Sequence, residues 1–598
     1  MLPFNVRPVR AQADTTVYIN SDGSVSPSNA PISTVDNVTY AFTGNMSYPA
    51  YNGIVVDRNN TVIDGNGYTV QGQGSQFGYG LSLTGVSNVT IENANVEDFQ
   101  FGISLNYSSN NTVSENNATA NGLGMLLLYS SSNNSVSGNN VSANNDGIEI
   151  DYSSGNVLSD NVIEDNRYDF GVFGSVLGDF MNSVDTSNLV DGKPMYYITS
   201  KSNLVMSPEN YPDIGYLAVV NCTNITVQGL ALASDEQGML LAFTNDSKIA
   251  NNNVTNDAEG IYLYSSSNNT VSGNNATANG YGMWFDYSSN NTISENNATA
   301  NSLLGIYVED SSNNTVSGNN VTANASGIYL YSSSGNAVSC NNATANGSGI
   351  HLYFSSNNTV CGNDVAANRG YGIFLTDSSS NIMYHNSFVG NGVQAFVEYI
   401  NPSEPTNIWD NGYPSGGNYW SDYKGTDLYS GPYQNETGSD GIGDTPYVIV
   451  SLDTMTYLTS NITDIDHFPL MGPFSDFSVA GEVRVQVVSN STVSAFHFNG
   501  TALLFNVSGA NGTTGFCNVR VPTSLLNGNL TVFVNGTQVQ YSLLPSSNSS
   551  VSYLYFTYDQ STEQVIILPE FPDFLFLAMF ILMTLSAIAI YKKKHCLS

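Results

Sequence analysis

Between Gly260 and Asp377 the hydrophobic and polar residues follow one pattern that returns every 22 or 23 residues. Each repeat has a glycine, a short stretch in which apolar residues occupy every second position, and a turn rich in Ser, Asn and Thr. A period of two with no helical period predicts strands. A repeat of this length cannot bury its own apolar face and has to stack on its neighbours. The pattern therefore predicts an all-β fold, a parallel β-helix solenoid with about 22 residues per coil.

Three columns of residues keep this step in register. The glycine column is Gly260, Gly282, Gly305, Gly327, Gly349 and Gly372. Two asparagine columns are Asn269, Asn291, Asn314, Asn336, Asn358 and Asn381, and Asn274, Asn296, Asn319, Asn341, Asn363 and Asn386. The glycine column can be followed backwards, in steps of 21 to 24 residues, through Gly238, Gly215, Gly192, Gly171, Gly147, Gly124, Gly102 and Gly80. We therefore expect one continuous rod, about 65 Å long at roughly 4.8 Å per strand.

Other parts of the chain depart from this repeat. A signal-peptide remnant with a small-residue end, Ala-Gln-Ala, is predicted at the start, and strands separated by Asn-Gly turns predict a β-sandwich stalk near the end. The predicted organisation is 1–13 signal remnant, 14–400 β-helix, 401–473 cap, 474–568 sandwich, 569–591 membrane anchor and 592–598 cytoplasmic tail.

The anchor is predicted from eighteen uncharged residues, 574–591, followed by Lys592, Lys593 and Lys594. Because basic residues flank the cytoplasmic end of a span, we expect a single-pass protein with its N-terminus outside the cell. A buried core helix is the alternative, and the Pro-Glu-Phe that begins at Pro569 resembles archaeal sorting tails that a transpeptidase removes. About thirty Asn-x-Ser/Thr sequons predict partial glycosylation, since some of these asparagines must face inward.

Two columns of the repeat are predicted to face outward, because the positions one and three residues after each glycine are apolar and face the core. The first column is Tyr262, Trp284, Tyr307, Tyr329, His351 and Phe374, and the second is Tyr264, Asp286, Glu309, Tyr331, Tyr353 and Thr376. Aromatic rings at this spacing suit the faces of an extended polysaccharide, so Tyr262, Trp284, Tyr307, Tyr329, Tyr331, Tyr353 and Phe374 are candidate glycan-binding residues. The alternative is that stacked rings only stabilise the sheet.

Two pairs of outward carboxyls could carry chemistry. Asp286 and Glu309 occupy one column on adjacent coils, about 5 Å apart, which is the separation that a retaining glycosidase uses. Glu149 and Asp151 form a second pair within one strand. The alternative for both pairs is solvated acids on a very acidic protein. A polysaccharide lyase needs a basic residue beside acidic sugar, and no cation falls in the outward columns.

The segment 401–473 contains a different set of carboxyls, Asp422, Asp427, Asp440 and Asp444, with glycines between them. These could supply oxygen ligands to Ca²⁺, or the side chains could instead form Asx turns. Trp409, Tyr419, Trp420 and Tyr423 in the same segment predict a cap over the open end of the solenoid, which solenoids generally need.

The charge and the cysteines exclude some partners. Fourteen Lys and Arg against 49 Asp and Glu give a net charge of −35, which excludes a nucleic-acid partner. The five cysteines have no metal-ligand spacing. Cys340 and Cys361 lie on adjacent coils one position out of register, which disfavours a disulfide.

Three phrases accompany the repeat: Val190-Asp-Gly-Lys-Pro-Met-Tyr-Tyr197, Gly-Asn-Tyr-Trp-Ser-Asp-Tyr around Trp420, and Asp440-Gly-Ile-Gly-Asp-Thr-Pro-Tyr447. Together with the repeat they resemble the NosD-type branch of the carbohydrate-binding and sugar-hydrolase β-helices. The resemblance covers about residues 50–472 and implies a right-handed β-helix. We expect a cell-surface protein that binds polysaccharide or envelope glycans, or serves as a scaffold, without catalysis. The alternatives are a glycoside hydrolase and the copper handling that the NosD name suggests, although five scattered histidines give copper little support.

Overall fold

The computed structural model describes residues 11–12, 15–48, 52–74, 76–399, 406–453, 458–459, 464–481 and 483–570. The predicted anchor and tail lie outside these residues, as does most of the predicted signal remnant. Throughout the described ranges the fold is all-β apart from one 3₁₀ turn, Leu177–Phe180. No helix in them is long and apolar enough to cross a bilayer.

The chain first forms a parallel β-solenoid of three sheets, which we call the first solenoid. Its glycine-column sheet contains Val17–Ile19, Val25–Ser26, Ile54–Val56, Tyr79–Thr84, Phe101–Asn106, Leu123–Leu128, Asp146–Asp151 and Tyr168–Phe173. The next contains Ile32–Ser33, Thr39–Phe42, Thr61–Asp64, Val89–Glu92, Thr112–Ser114, Ser135–Ser137, Val157–Ser159 and Ser183–Val184. The third contains Ala11–Gln12, Met46–Ser47, Thr69–Gln71, Asn95–Glu97, Asn117–Thr119, Asn140–Ser142, Val162–Glu164 and Leu189–Val190.

A second solenoid of the same design follows. Its glycine-column sheet contains Lys193–Thr199, Tyr216–Val220, Gln237–Ala242, Glu259–Tyr264, Tyr281–Asp286, Leu304–Glu309, Ser326–Tyr331, Ser348–Tyr353, Tyr371–Thr376, Val393–Tyr399, Val450–Asp453 and Leu458–Thr459. The next contains Val205–Met206, Thr226–Gln228, Lys248–Ala250, Thr270–Ser272, Thr292–Ser294, Thr315–Ser317, Ala337–Ser339, Thr359–Cys361 and Ile382–Tyr384. The third contains Ala231–Ala233, Asn253–Thr255, Asn275–Thr277, Asn297–Thr299, Asn320–Thr322, Asn342–Thr344, Asp364–Ala366, Ser387–Val389 and Tyr419–Trp420.

The expectation of one continuous rod is wrong. Gly192 lies in a turn with φ +74°, and the strands on either side of it pair antiparallel, with Val190 opposite Lys193. The glycine-column sheet of the first solenoid therefore ends at Tyr168–Phe173, and the new glycine column begins on a sheet that continues the first solenoid's third sheet. Two separate apolar cores result, one for each solenoid.

Asparagine ladders hold successive coils together. In the second solenoid the backbone N–H of Asn269 donates to Oδ1 of Asn291 at 2.8 Å, and Nδ2 of Asn274 donates to the carbonyl of Ile249 at 2.9 Å. A third ladder, absent from the two predicted columns, is Asn279, Asn301, Asn324, Asn346, Asn368 and Asn391. Of these, Asn324 and Asn346 belong to Asn-x-Ser sequons and are buried, as expected for inward-facing sequons. Each ladder satisfies backbone groups that a coil would otherwise bury without partners.

The segment after the last regular coil lies across the end of the second solenoid. Trp409 and Trp420 are fully buried in that solenoid's core cluster. Their Nε1 atoms donate to Asp464 Oδ1 at 3.0 Å and Asp466 Oδ2 at 2.9 Å. Its short strand pairs are Tyr429–Ser430 with Glu436–Thr437, and Tyr447–Val448 with Ile465–Asp466.

Two antiparallel five-stranded sheets enclose a separate core in the last described part of the chain. One contains Phe474–Ala480, Val483–Ser489, Thr514–Pro522, Val551–Asp559 and Tyr541–Leu543. The other contains Thr492–Phe498, Leu503–Ser508, Thr562–Pro569, Leu530–Val534 and Thr537–Val539. Strands with alternating buried residues on two facing sheets form a β-sandwich.

Candidate functional site

A cleft of about 590 Å³ lies where the first solenoid meets the outer face of the second. We call it the junction cleft. The first solenoid contributes Tyr152, Phe173, Gly174 and Ser175, and the second contributes Tyr262, Tyr264, Ser265, Trp284, Asp286 and Tyr287. The cleft thus combines aromatic rings with a carboxyl that the sequence had marked as a candidate.

The junction buries the first residues of the predicted outward columns. Tyr262 and Tyr264 are only 5% and 6% exposed and belong to the core cluster of the first solenoid. The hydroxyl of Tyr264 donates to the carbonyl of Ser175 at 3.0 Å, and its ring lies 5.3 Å from that of Phe180. The prediction that Tyr262 is exposed is therefore wrong, because the last coil of the first solenoid covers most of it, whereas its part in glycan binding stays a prediction.

Of the two candidate carboxyls, Asp286 lines the cleft and Glu309 lies beside it on the next coil. Asp286 and Glu309 are partners in the parallel register of adjacent strands. Tyr262 Oη donates to Asp286 Oδ2 at 3.2 Å, and Trp284 Nε1 donates to Glu309 Oε2 at 3.1 Å. Burial, together with the negative charge of Glu309, raises the pKa of Asp286 to about 7. Burial also raises the pKa of Glu309, against the opposing effect of hydrogen bonds from Tyr307 and Trp284.

Beyond the cleft the first outward column continues along the second solenoid as a row of half-buried rings. Trp284 and Tyr307 stack with centroids 5.4 Å apart and an interplanar angle of 23°, and His351 and Phe374 stack at 4.5 Å and 16°. Tyr329 lies between these two pairs, in an edge contact with His351. Rings that stack on each other cover part of their own faces, so the row presents many ring edges to solvent.

The second outward column changes character along the solenoid. After Asp286 and Glu309 it continues with Tyr331 and Tyr353, which are half-buried and stack with centroids 5.5 Å apart at 10°. Thr376, the next residue, is buried. Carboxyls are therefore concentrated at the cleft end of the column and aromatic rings beyond it.

The second predicted carboxyl pair also lies at the junction. Burial and the nearby Asp151 raise the pKa of Glu149 to about 7, and burial raises that of Asp151 to about 6. Glu149 also faces Glu236 and Glu259 of the second solenoid. The sequence analysis placed Glu149 and Asp286 about six coils apart on one rod. It therefore missed that both residues lie at the junction between the two solenoids.

The four candidate calcium ligands organise loops in the end segment. Asp427 accepts the N–H groups of Asp440 and Gly441 at 3.0 and 2.8 Å. Asp444 accepts those of Leu428 and Tyr429, and Asp422 accepts the hydroxyl of Tyr447. Within the described ranges no three His, Cys, Asp or Glu side chains are arranged to hold a metal ion. Calcium binding stays a prediction.

A further recess, of about 470 Å³, lies between the second solenoid and the sandwich. Its lining includes Cys340, Cys361 and His385. Burial raises the pKa of both thiols, and burial lowers that of His385 to about 4. His385 also stacks on Phe474 and has Nε2 2.8 Å from the carbonyl oxygen of Ser415. Because the thiols and the imidazole are neutral, and Asp476 of the lining is already paired with Arg484, this recess is a weaker candidate than the junction cleft.

Several solved structures of low sequence identity are similar to this chain. The periplasmic alginate epimerase AlgG is 14% identical, with 63% of this chain and 79% of that chain covered and a TM-score of 0.30. The A-module of the mannuronan C-5 epimerase AlgE4 of Azotobacter vinelandii is 12% identical, with 61% and 86% covered and a TM-score of 0.28. The DFA-IIIase of Arthrobacter chlorophenolicus A6 is 11% identical, with 52% and 86% covered and a TM-score of 0.22. No curated protein matches the chain.

A family model provides the firmer comparison. The model described as "Periplasmic copper-binding protein (NosD)" matches residues 11–207, 195–298 and 221–425. These overlapping matches together cover residues 11–425, which include the first solenoid, the regular coils of the second and the beginning of the end segment, well over half of the 598 residues. The chain therefore belongs to the NosD family.

Proposed function

We propose that this protein binds a glycan in the junction cleft and along the aromatic row that leads away from it. The observation that carries the proposal is the composition of the cleft, in which Tyr152 and Phe173 of one solenoid face Trp284 and Tyr287 of the other, with Asp286 among them. Aromatic rings supply apolar area for sugar faces, and hydroxyl and carboxyl groups accept or donate hydrogen bonds to sugar hydroxyls.

The charge of the cleft narrows the class of glycan. Its lining includes Asp286 and no Lys or Arg, and Glu309 lies on the adjacent strand. A polyuronate would bring its carboxylates against these groups without a cation to pair with them. Neutral sugars, or amino sugars with free amines, suit the cleft better.

Binding of oligosaccharides to the full chain tests the proposal. Calorimetric titration with neutral, amino-sugar and uronate oligomers should show binding of the first two classes and none of the third. Trp284→Ala and Tyr307→Ala should each weaken binding at least about tenfold, since one lost ring contact costs about 0.5–1.5 kcal/mol beyond its buried area.

Tyr79→Ala is the matched control. Tyr79 stacks on Phe101 of the next coil of the first solenoid, with ring centroids 5.0 Å apart, and neither residue lines the cleft. Affinity that survives both Trp284→Ala and Tyr307→Ala, or that falls equally with Tyr79→Ala, contradicts binding in the cleft. Absence of any glycan ligand would leave the envelope-scaffold hypothesis.

A second candidate function is glycoside hydrolysis by the same two carboxyls. The specific observation is that Asp286, with a pKa raised to about 7, neighbours Glu309 in strand register. A retaining glycosidase needs one protonated carboxyl as acid and an ionised carboxyl as nucleophile. Release of reducing sugar that both Asp286→Asn and Glu309→Gln abolish would support this function, and no release from a broad panel of substrates would remove it.

Copper, which the family description names, does not fit the residues described here. Copper sites gather His, Cys or Met ligands, whereas the described ranges contain no group of three or more His, Cys, Asp or Glu side chains that could hold a metal ion. His351 stacks between Tyr329 and Phe374, and burial lowers its pKa to about 4. Metal analysis of the purified protein checks this mismatch. Anchoring through residues 574–591 on the outer face of a cell membrane remains part of our proposal.

A further inference from the structure

Three aspartates are buried at the place where the two solenoids meet. Asp169 and Asp235 are 0% exposed and Asp257 is 1% exposed. Four of their carboxyl oxygens, Oδ2 of Asp169, both of Asp235 and Oδ2 of Asp257, have no hydrogen-bond partner. A buried carboxylate without partners is very costly, so these groups require an explanation.

The positions of the three aspartates in the asparagine ladders explain why they are buried. In the first solenoid the third-column ladder ends where Asn166 Nδ2 donates to Asp169 Oδ1 at 2.8 Å. In the second solenoid the equivalent ladder begins with Asp235, whose N–H donates to Asp257 Oδ1 at 2.9 Å, and Asp257 N–H donates to Asn279 Oδ1. The N–H of Asp169 donates to the carbonyl of Ser234 at 2.7 Å. Two asparagine ladders therefore meet end to end through three aspartates.

Asp257 stands where the rest of the ladder has an amide. Asn279 Nδ2 donates to the carbonyl of Val254 and Asn301 Nδ2 to that of Ala276, in each case 25 residues earlier. Asp257 Oδ2 takes the place of that amide nitrogen, since it lies 2.3 Å from where a Cβ on Gly238 would be, as Asn279 Nδ2 lies 2.7 Å from where a Cβ on Gly260 would be. An ionised carboxyl oxygen can only accept, so only the carboxylic acid form of Asp257 can donate a hydrogen bond as the amide does.

The surrounding charges favour protonation. Besides burial, the negative charges of Asp257, Asp169 and Asp191 raise the pKa of Asp235. Asp191 and Asp165 act on Asp169 in the same way, and Glu259 acts in the same way on Asp257. Tyr216, also at the junction, is buried with a raised pKa and stays a neutral phenol. On the outer side of the junction Asp146 and Glu236 share a hydrogen bond, with Arg167 the cation that acts on Asp146.

We propose that Asp169, Asp235 and Asp257 form a proton-binding site that makes the docking of the first solenoid on the second depend on pH. The docked state holds the three protons, and a separated state, in which water reaches the carboxyls, releases them. The hinge is the turn at Asp191 and Gly192. This inference does not depend on what the junction cleft binds.

The direction of the pH effect follows from burial. Burial raises the pKa of all three groups above their ordinary value, that of Asp169 to about 7. Docking is therefore strongest in acid and weakens as the pH rises above about 4, until the pKa of the docked state is passed. Each aspartate that is protonated in the docked state and ionised in the separated state lowers the equilibrium constant for docking by up to about tenfold per pH unit.

A distance measurement between spin labels on the two solenoids tests the proposal in the full chain. The labels replace the exposed Asn133 and Asn290 in a Cys340→Ser, Cys361→Ser and Cys596→Ser background, in which the remaining Cys222 and Cys517 are buried. We expect one narrow distance distribution at pH 5 and a growing population at longer distances toward pH 9, with circular dichroism unchanged. The Asp235→Asn and Asp257→Asn double variant should show far less broadening at pH 9, because an amide rung needs no proton and only Asp169 is left to lose one.

The matched control is Asp364→Asn, which removes one negative charge from a distant coil. It should behave as the parent does. A distribution that is constant from pH 5 to 9 in the parent, or that broadens equally in the double variant, overturns the proposal. Restoration of the narrow distribution at pH 9 by millimolar Ca²⁺ overturns it as well, since a cation would then do what we assign to protons. If the double variant fails to fold, the single Asp257→Asn variant takes its place.

Discussion

The hydroxyl of Tyr262 donates a 3.2 Å hydrogen bond to Oδ2 of Asp286, a residue on the next coil. Both residues line the junction cleft, and Tyr262 also belongs to the core cluster of the first solenoid. Through this bond the junction between the solenoids is connected directly to the carboxyl that we place in the binding site.

The ionisation of Asp286 should respond in opposite directions to its two neighbours. The hydrogen bond from Tyr262 lowers the pKa of Asp286 and the charge of Glu309 raises it, while burial keeps it near 7. Tyr262→Phe should therefore raise this pKa further, and Glu309→Gln should lower it. Titration of the labelled carboxyl by NMR measures both shifts. Shifts of the same sign in the two variants would contradict this account of the site.

The asparagine ladder predicts a pair of opposite stability effects. Asp257→Asn should stabilise the protein at pH 7, because the raised pKa of Asp257 means that folding at this pH binds a proton that the unfolded chain lacks. The benefit should shrink as the pH falls toward 4. Asn279→Asp places a carboxyl at the next rung, where the side chain is only 2% exposed. This variant should lower the free energy of unfolding by about 1–3 kcal/mol. Thermal unfolding at pH 4.5 and 7 measures both, and equal effects at the two pH values would be inconsistent with proton binding.

The glycine column is predicted to be intolerant of a methyl group. A Cβ on Gly305 would lie 2.3 Å from Cγ1 of Val321 and 2.7 Å from the carbonyl oxygen of Gly327 on the next coil. Gly305→Ala should therefore cost about 1–3 kcal/mol of unfolding free energy. Gly178→Ala is the control, because its Cβ would meet no atom within 4 Å. Denaturant unfolding should separate the two variants, and similar midpoints would show that coil stacking adjusts easily.

The end segment is predicted to cap the second solenoid. Trp409 is fully buried against the last coil, so Trp409→Ala should cost about 3–5 kcal/mol. Deletion of residues 401–473 should expose apolar core and unpaired strands and cause aggregation. Light scattering and a thermal melt check this. If a chain that lacks the segment stays monomeric and melts at the parent temperature, the cap assignment is wrong and the segment is a binding module instead.

The repeat could be predicted from the sequence because its hydrogen bonds are set within each coil and its neighbour. The asparagine columns that begin at Asn269 and Asn274 form ladders as their spacing indicates. The break at Gly192 could not be seen this way, because the steps on either side of it, 21 and 23 residues, match those of a regular coil. The antiparallel pairing of Val190 with Lys193 and the positive φ of Gly192 distinguish it in the structure.

The candidate site was predictable in its residues and not in its setting. Period-two alternation correctly placed Trp284, Asp286 and Glu309 in outward columns. The burial of Tyr264, the neighbour of Tyr262 on this face, depends on contacts with Ser175 and Phe180, which lie more than eighty residues earlier. Local pattern contains no information on that contact, because it arises from the docking of two solenoids rather than from the repeat.

The most direct test of the account is a hydrogen-exchange footprint of the full chain with and without a bound oligosaccharide. If the junction cleft is the binding site, protection should appear together in two separate segments, around Phe173–Ser175 of the first solenoid and around Trp284–Tyr287 of the second. Protection confined to one solenoid, to the end segment or to the sandwich would contradict the central claim that the two solenoids form one site.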